Sequence, residues 1–342
     1  MGFLGGKRGA GPVAKCMKIF VTGGAGYIGS ITIKELQKQN FEVVAFDSLE
    51  YGHKKALNCP LIVGNLKDKK LLEETFKKYK FDAVIHFAGY IQMGESMEKP
   101  GMYFENNIGG ALSLLDTMTQ FNVKKIVFSS TAGVYGNPLH LPIKEEDPKN
   151  PTNPYGESKL MVEKLLKWFH ICHGVNSISI RYFNAAGATL DGSLGEDHHQ
   201  ESHLIPNAIK AALSKKTFEI FGADYPTKDG TCIRDYIHVL DLAQSHILAL
   251  KTLNKKNILA FYNAGTGRGY SNKEVVKMVK KVTGIDFKVK YGPRRPGDAT
   301  ELVADPGKIK KELGFRPKYS DLETIVKTAY LWHSSHLHGF QD

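Results

Sequence analysis

Cysteine, tryptophan and long apolar runs are all scarce in this 342-residue chain. Its four cysteines, Cys16, Cys59, Cys172 and Cys232, are widely separated and form no C-x-x-C pair, which excludes a disulfide scaffold and the usual spacing of a zinc site or redox dithiol. They are expected to be free thiols of a reducing, cytoplasmic compartment. No run of 18 apolar residues occurs, so no membrane-spanning helix is expected. Acidic residues are also short, 35 Asp and Glu against 46 Lys and Arg, giving a net charge of +11. Such a balance suits an anionic partner, whether nucleic acid, an acidic membrane or a phosphorylated small molecule. Repeats and low-complexity tracts are absent, and 42% hydrophobic with 24% charged residues excludes disordered and collagen-like classes. The length allows one large domain or two unequal ones.

The first sixteen residues, MGFLGGKRGAGPVAKC, lack the apolar stretch of a secretory signal. We expect a flexible extension over 1–16, with Met17 as an alternative start. Lys7, Arg8 and Lys15 account for three of the eleven charges, leaving +8 on the body.

From Met17 onward, short β-branched and aromatic runs alternate with amphipathic stretches, the pattern of βαβ units in a parallel sheet. Strands are expected at 17–23, 42–47, 61–65, 82–89, 124–130 and 177–184, mostly apolar as strands covered on both faces are. Helices are expected at 27–39, 68–79, 106–121 and 156–170. Beyond about residue 190 the rhythm loosens into loop-rich stretches. The expected fold is α/β: a Rossmann-like, doubly wound sheet over 17–184 with return segments from the second half, and a smaller mixed lobe drawn mainly from 185–342.

The first strand runs into VTGGAGYIGS, with Gly23, Gly26 and Gly29 at G-x-x-G-x-x-G spacing ahead of a helix. Glycine permits the tight turn and close approach of backbone to a pyrophosphate, and the helix N-terminus offers N–H donors. The bare motif is weak, but Asp47 ends the second strand 18 residues after Gly29, where a carboxylate accepts from ribose hydroxyls and repels a 2′-phosphate. That combination favours NAD over NADP. Tyr155-Gly-Glu-Ser-Lys159 opens a predicted helix and places a phenol and an ammonium one turn apart. A cation beside a phenol favours phenolate, making it a usable general base. Ser129, Ser130 and Thr131 end the fifth strand, the edge where open α/β sheets hold ligands.

With these motifs stand HFAG (86–89), GESMEKP (94–100), NPYGESKLMVE (153–163), RYFNAAGA (181–188), FGADYPTKDGTCIRDYIHVLDLA (221–243) and PRRPGD (293–298). Together they resemble the extended short-chain dehydrogenase/reductase superfamily and, within it, the UDP-glucose 4-epimerase family, over residues 17 to about 335. The resemblance implies a tightly held NAD and a redox-neutral 4-epimerisation of a UDP-sugar through a 4-keto sugar. It makes Tyr155 the acid-base group, Lys159 its partner and a ligand of the nicotinamide ribose, and Thr131 a hydrogen-bonding partner of the 4-oxygen. It assigns Gly23, Gly26, Gly29 and the backbone of Tyr27 and Ile28 to the pyrophosphate, Asp47 and Ser48 to the adenosine ribose, and Asn65 and Leu66 to adenine. Phe87, Ala88, Gly89, Asn106 and Phe183 would complete the cofactor pocket. Asn65 replaces a more usual aspartate, and Ile91 stands where some members carry lysine. For the substrate it implies Thr131, Asn184, His203, Leu204, Glu219, Phe221, Arg234, Arg295, Asp298 and Leu302, the two arginines facing the diphosphate. Leucine at 302 leaves room for N-acetyl sugars. A homodimer through helices 106–121 and 156–170 is also implied.

Other readings are UDP-N-acetylglucosamine or UDP-pentose epimerisation, 4,6-dehydration, and a non-catalytic NAD sensor or nucleic-acid binder. Dehydration needs acidic residues after the strand-end threonine, where Ala132 and Gly133 stand. No nucleic acid is expected, since the basic residues lack interleaved stacking aromatics. The histidine-rich GEDHHQESH (195–203) lacks H-x-x-x-H spacing, and a polar substrate-covering loop without a metal is expected there.

Overall fold

Strands that are apolar on both faces need cover on both sides, and the chain supplies it with helices from both of its halves. The computed structural model describes residues 16–253, 258–295 and 298–341; the expected extension, Cys16 apart, lies outside them. The expected strands form as β1 (Lys18–Thr22), β2 (Glu42–Asp47), β3 (Leu61–Val63), β4 (Ala83–His86), β5 (Lys125–Thr131) and β6 (Asn176–Tyr182). Between them run α1 (Tyr27–Lys38), α2 (Lys69–Tyr79), α3 (Met93–Glu98), α4 (Pro100–Tyr103), α5 (Gly110–Gln120) and α6 (Pro154–His173). Later come β7 (Asn184–Ala186), β8 (Phe218–Phe221), β9 (Ile233–His238), β10 (Leu259–Ala264), β11 (Gly269–Ser271), β12 (Val289–Gly292) and β13 (Glu301–Leu302). Helices α7 (Leu204–Leu213), α8 (Val239–Leu253), α9 (Asn272–Thr283), α10 (Gly307–Leu313) and α11 (Leu322–Ser335) accompany them.

Seven parallel strands order as β10-β6-β5-β4-β1-β2-β3. Alternation along β1 sends Ile19 and Val21 to one face and Phe20 to the other. The first face packs on Ile33 and Leu36 of α1, Leu242, Ile247 and Leu250 of α8, and Ile309 of α10. The second packs on Leu72 and Phe76 of α2, Leu114 and Met118 of α5, and Val162 and Leu166 of α6. A separate core joins α7, α9 and α11 to β8 and β9 through Ile205, Ile209, Ile220, Val275, Val279 and Ile325. Strand β9 pairs with β7, β11 and β13, while β12 pairs with β8.

The chain reverses its winding between β1 and β4, which are neighbours in space though β2 and β3 separate them in sequence. Helices leave to opposite faces there and open a crevice at the strand C-termini. The Gly-rich loop follows β1 and the Phe87–Gly89 turn follows β4, so both motifs meet at this crevice.

Candidate active site

Close backbone approach explains Gly23 and Gly29. Gly23 has φ +67°, and a Cβ there would stand 2.5 Å from the Ala88 amide nitrogen. A Cβ on Gly29 would stand 2.1 Å from the Gly23 carbonyl oxygen. Helix α1 therefore begins hard against the loop, with Gly26 as its N-cap and neither a capping side chain nor an acidic residue in its first turn. Its first N–H groups and positive dipole end are left for an anion. Asp47, nearly buried, accepts from the Ala25 N–H at 2.9 Å and the Leu49 N–H at 2.9 Å. Burial pushes its pKa up and those two N–H groups pull it back.

A cavity of about 330 Å³ extends from this loop to the end of β5. Every residue assigned to the cofactor lines it except Lys159: Gly23, Gly26, Tyr27, Ile28, Gly29, Asp47, Ser48, Asn65, Leu66, Phe87, Ala88, Gly89, Asn106, Tyr155 and Phe183. Asn106 sits on a π-helical turn, Phe104–Gly109, where an unbroken helix is expected from the sequence. That turn also buries Asn107, whose side chain accepts from the Tyr90 N–H at 2.8 Å and donates to Ser158 Oγ at 2.9 Å. It thus ties the cavity wall to α6. Single-turn π-helices concentrate at functional sites but carry no period that a sequence scan detects.

Helix α6 is started by Asn153, which accepts from the Gly156 N–H at 2.9 Å, with Pro154 in the first turn. Gly156 lies against Gly133, where a Cβ would come within 2.6 Å of the Gly133 carbonyl oxygen. This contact sets Tyr155 beside Thr131, and both line the cavity. Lys159, 3% exposed, donates to the Ser129 carbonyl at 3.0 Å. Burial and the Tyr182 phenol push the Tyr155 pKa well above its ordinary value, while the Thr131 hydroxyl pulls it down. Burial lowers the Lys159 ammonium to about 8. Behind them Arg181 and Glu163 form a buried two-pronged pair, Nε to Oε1 at 2.9 Å and Nη2 to Oε2 at 2.7 Å, and Ser130 donates to the same carboxylate at 2.7 Å. Strand β6, strand β5 and α6 are held together at the level of Thr131.

Of the residues assigned to the substrate, Thr131, Asn184 and His203 line the cavity. Leu204, Glu219, Phe221, Arg234, Arg295, Asp298 and Leu302 do not. Several gather beside β9: Arg234 pairs with Asp298 at 3.6 Å and lies opposite Leu302 in the β9–β13 register. Arg295 rests 4.1 Å over the Phe221 ring, and Glu219 pairs with Lys290 at 2.9 Å. Leu302 packs against the group that holds Phe183, Val134 and Leu160. Because β7 also pairs with β9, Asn184 in the cavity and the Arg234 group are carried on adjoining strands.

Sequence reasoning gave no role to Tyr51, Tyr90, Tyr103 and Tyr182, which line the cavity; of these, Tyr182 lies within the quoted RYFNAAGA motif and the other three in none. It expected a polar loop at 195–203 and no metal. The structure brings Glu196, His198, Glu201 and His203 together, their ligand atoms all within 4.8 Å of one another. Burial disfavours charge on His198, yet Glu201 and Glu196 outweigh it and raise its pKa. Glu201 is held well below the usual carboxylate range by the two histidines despite its burial.

Residues 19–265 match the NAD dependent epimerase/dehydratase family. The chain belongs to this family. As an epimerase/dehydratase it is similar to the UDP-glucose 4-epimerase of Lacticaseibacillus casei, 48% identical over 329 residues that cover 95% of this chain and 99% of that protein. The enzyme of the same name from Halalkalibacterium halodurans is 48% identical over 326 residues, 95% and 98% of the two chains. Among solved structures, UDP-glucose 4-epimerase from Brucella ovis in complex with NAD has a TM-score of 0.89 at 44% identity, covering 92% of this chain and 98% of that one. The Bifidobacterium longum enzyme in complex with NAD+ and UDP has a TM-score of 0.90 at 38% identity, covering 94% and 100%. The NAD on which this epimerase/dehydratase depends fits the site: glycines where any Cβ would collide, an uncapped α1 N-terminus and the Asp47 carboxylate make a dinucleotide cradle.

Proposed function

We propose that the chain interconverts UDP-glucose and UDP-galactose by NAD-dependent epimerisation at C4 of the sugar. One observation carries the reading of the site: Thr131 and Tyr155 line the same cavity as the glycine cradle and Asp47, with Lys159 buried directly behind Ser129. Gly23, Gly26, Gly29 and the α1 N-terminus hold the pyrophosphate of NAD, and Asp47 its adenosine ribose. When bound there, NAD would supply a reversible hydride acceptor facing C4 of the sugar. Tyr155 accepts the proton of the 4-hydroxyl and Thr131 hydrogen-bonds the same oxygen. The resulting 4-keto sugar would turn over in the site, the hydride would return to its opposite face, and Tyr155 gives the proton back, so the cycle is redox-neutral.

Burial keeps Tyr155 protonated in the ligand-free protein. Its basicity at neutral pH therefore depends on nearby positive charge, which in this reading comes from the Lys159 ammonium. The Arg234 group faces the UDP end in this reading, where a diphosphate competes with Asp298 for the guanidinium. Leucine at 302, packed beside Phe183, extends the substrate range to N-acetyl sugars. A homodimer through α5 and α6 is part of the reading, supported by the exposed side chains of Leu112, Met161, Trp168 and Ile171. So is a cytoplasmic location, supported by four free thiols. Among the described residues no helix is long and apolar enough to cross a membrane.

Purified protein should carry NAD and convert UDP-glucose to UDP-galactose without added reductant, followed by NMR. A cofactor-loaded preparation that forms no 4-epimer sinks the proposal. Tyr155→Phe should retain NAD and lose turnover by about 10²–10⁴-fold; unchanged turnover would remove Tyr155 from its role.

A further inference from the structure

The reaction proposed above, on which this inference rests only for the place of His203 beside the substrate, leaves Glu196, His198 and Glu201 without a chemical task. We propose that Glu196, His198, Glu201 and His203 bind one divalent transition-metal ion of the zinc type. One carboxylate or imidazole atom from each of the four residues already lies within 4.8 Å of the others. His198 Nδ1 stands 3.4 Å from Glu196 Oε1 and 3.6 Å from Glu201 Oε2, and His203 Nδ1 stands 3.5 Å from Glu201 Oε1. Bonds of about 2.0–2.1 Å from a tetrahedral zinc ion place its ligand atoms about 3.3 Å apart. These three separations lie within a few tenths of an ångström of that value, Glu201 offering a different oxygen to each histidine. The fourth, a close His203–Glu196 hydrogen bond, has to open to admit the ion.

A second observation points to a missing occupant. The Glu201 side chain is only 5% exposed, and its Oε2, which faces His198, makes no hydrogen bond among the described residues. Buried carboxylate oxygens are rarely left without a hydrogen bond, and the His198 imidazole that faces this one stands 3.6 Å away. Two carboxylates with two neutral imidazoles carry a charge of −2, which a dication neutralises. The mixed nitrogen and oxygen donors suit zinc and not calcium or magnesium, which prefer oxygen alone. The scaffold is anchored independently of any ion: the Glu196 carbonyl accepts from Trp332 Nε1 at 3.1 Å, and His203 is the residue that opens α7. Since Glu196, His198 and His203 line the cavity, the ion would pin this loop along its wall.

The competing arrangement is a metal-free network of protonated histidines and carboxylates, and the two differ in a direct experiment. Holoenzyme with its NAD in place is treated with chelator, dialysed, and titrated with Co2+ as a spectroscopic probe. The expected result is saturation at about one equivalent, with the intense visible bands of a tetrahedral cobalt centre that Zn2+ then bleaches. Binding should weaken as pH falls, because imidazole must lose its proton to ligate. Glu201→Gln and His198→Ala should each weaken the site at least about tenfold, and retained NAD with an unchanged circular dichroism spectrum shows that each variant is folded. No tetrahedral bands with the wild-type protein, or equal affinity in both folded variants, overturns the proposal. The readout is the metal's own spectrum, so it stands apart from whether the protein epimerises any sugar.

Discussion

Replacing Lys159 by methionine should make the nucleotide-free protein more stable while removing its activity. The ammonium is 3% exposed and donates to the Ser129 carbonyl. A lysine held near 8 instead of its ordinary 10.5 is penalised as the cation by about 3 kcal/mol in the fold. Methionine is nearly isosteric and carries no charge, but it forfeits the bond to Ser129, which returns about 1 kcal/mol. The net gain is about 2 kcal/mol near pH 7. The sign with pH follows from the lowered value: the penalty on wild type is complete below about pH 8, shrinks as pH rises, and is gone above about pH 10.5, where the lysine is neutral in both folded and unfolded chains. Urea unfolding of nucleotide-stripped wild type and Lys159→Met, compared near pH 7 and near pH 10.5, tests this directly, since other titrating groups cancel in the difference. A variant that is less stable near pH 7, or whose advantage persists unchanged at high pH, would refute the claim that burial of this cation is a net cost to folding that function retains.

Two further outcomes follow from the geometry. Gly29→Ala places a methyl 2.1 Å from the Gly23 carbonyl oxygen; relieving that overlap costs about 1–3 kcal/mol and should cut NAD retention roughly ten- to a hundredfold, read as nucleotide released on acid denaturation, whereas full NAD content would show that the loop yields freely. Leu302→Tyr adds an aromatic ring to the group that holds Phe183. It should depress turnover of UDP-N-acetylglucosamine more than that of UDP-glucose, and an equal effect on both would remove Leu302 from sugar selection.

The local parts of the site were legible because each lies within one turn or one strand. Gly23, Gly26 and Gly29 span a single strand-to-helix junction, Tyr155 and Lys159 are one helical turn apart, and Thr131 ends an apolar strand. Long-range pairings were not legible. Strand β10 completes the sheet beside β6 from some eighty residues further on, with Asn263 accepting from the Tyr135 hydroxyl at 2.7 Å. Its run of mixed small and aromatic residues gives no period that says which strand it joins. The π-helical turn at Phe104–Gly109, which buries Asn107, likewise leaves no mark on the hydrophobic pattern. Arg234 could be marked as a phosphate partner from its residue type, but its pairing with Asp298 depends on a loop returning to β9.

By itself the sequence determined the parallel α/β plan, the dinucleotide cradle and the Thr131, Tyr155 and Lys159 set, because backbone geometry alone converts those spacings into shared faces and strand ends. Only the tertiary structure decided the electrostatic state of those groups and the company they keep. The Tyr155 pKa is pushed well up and the Lys159 pKa down to about 8, chiefly by burial, and burial is a property of all the elements packed around them. Glu196, His198, Glu201 and His203, scattered along an irregular loop with no helical period, became a four-ligand cluster because the loop is held between α7 and the Trp332 indole of α11.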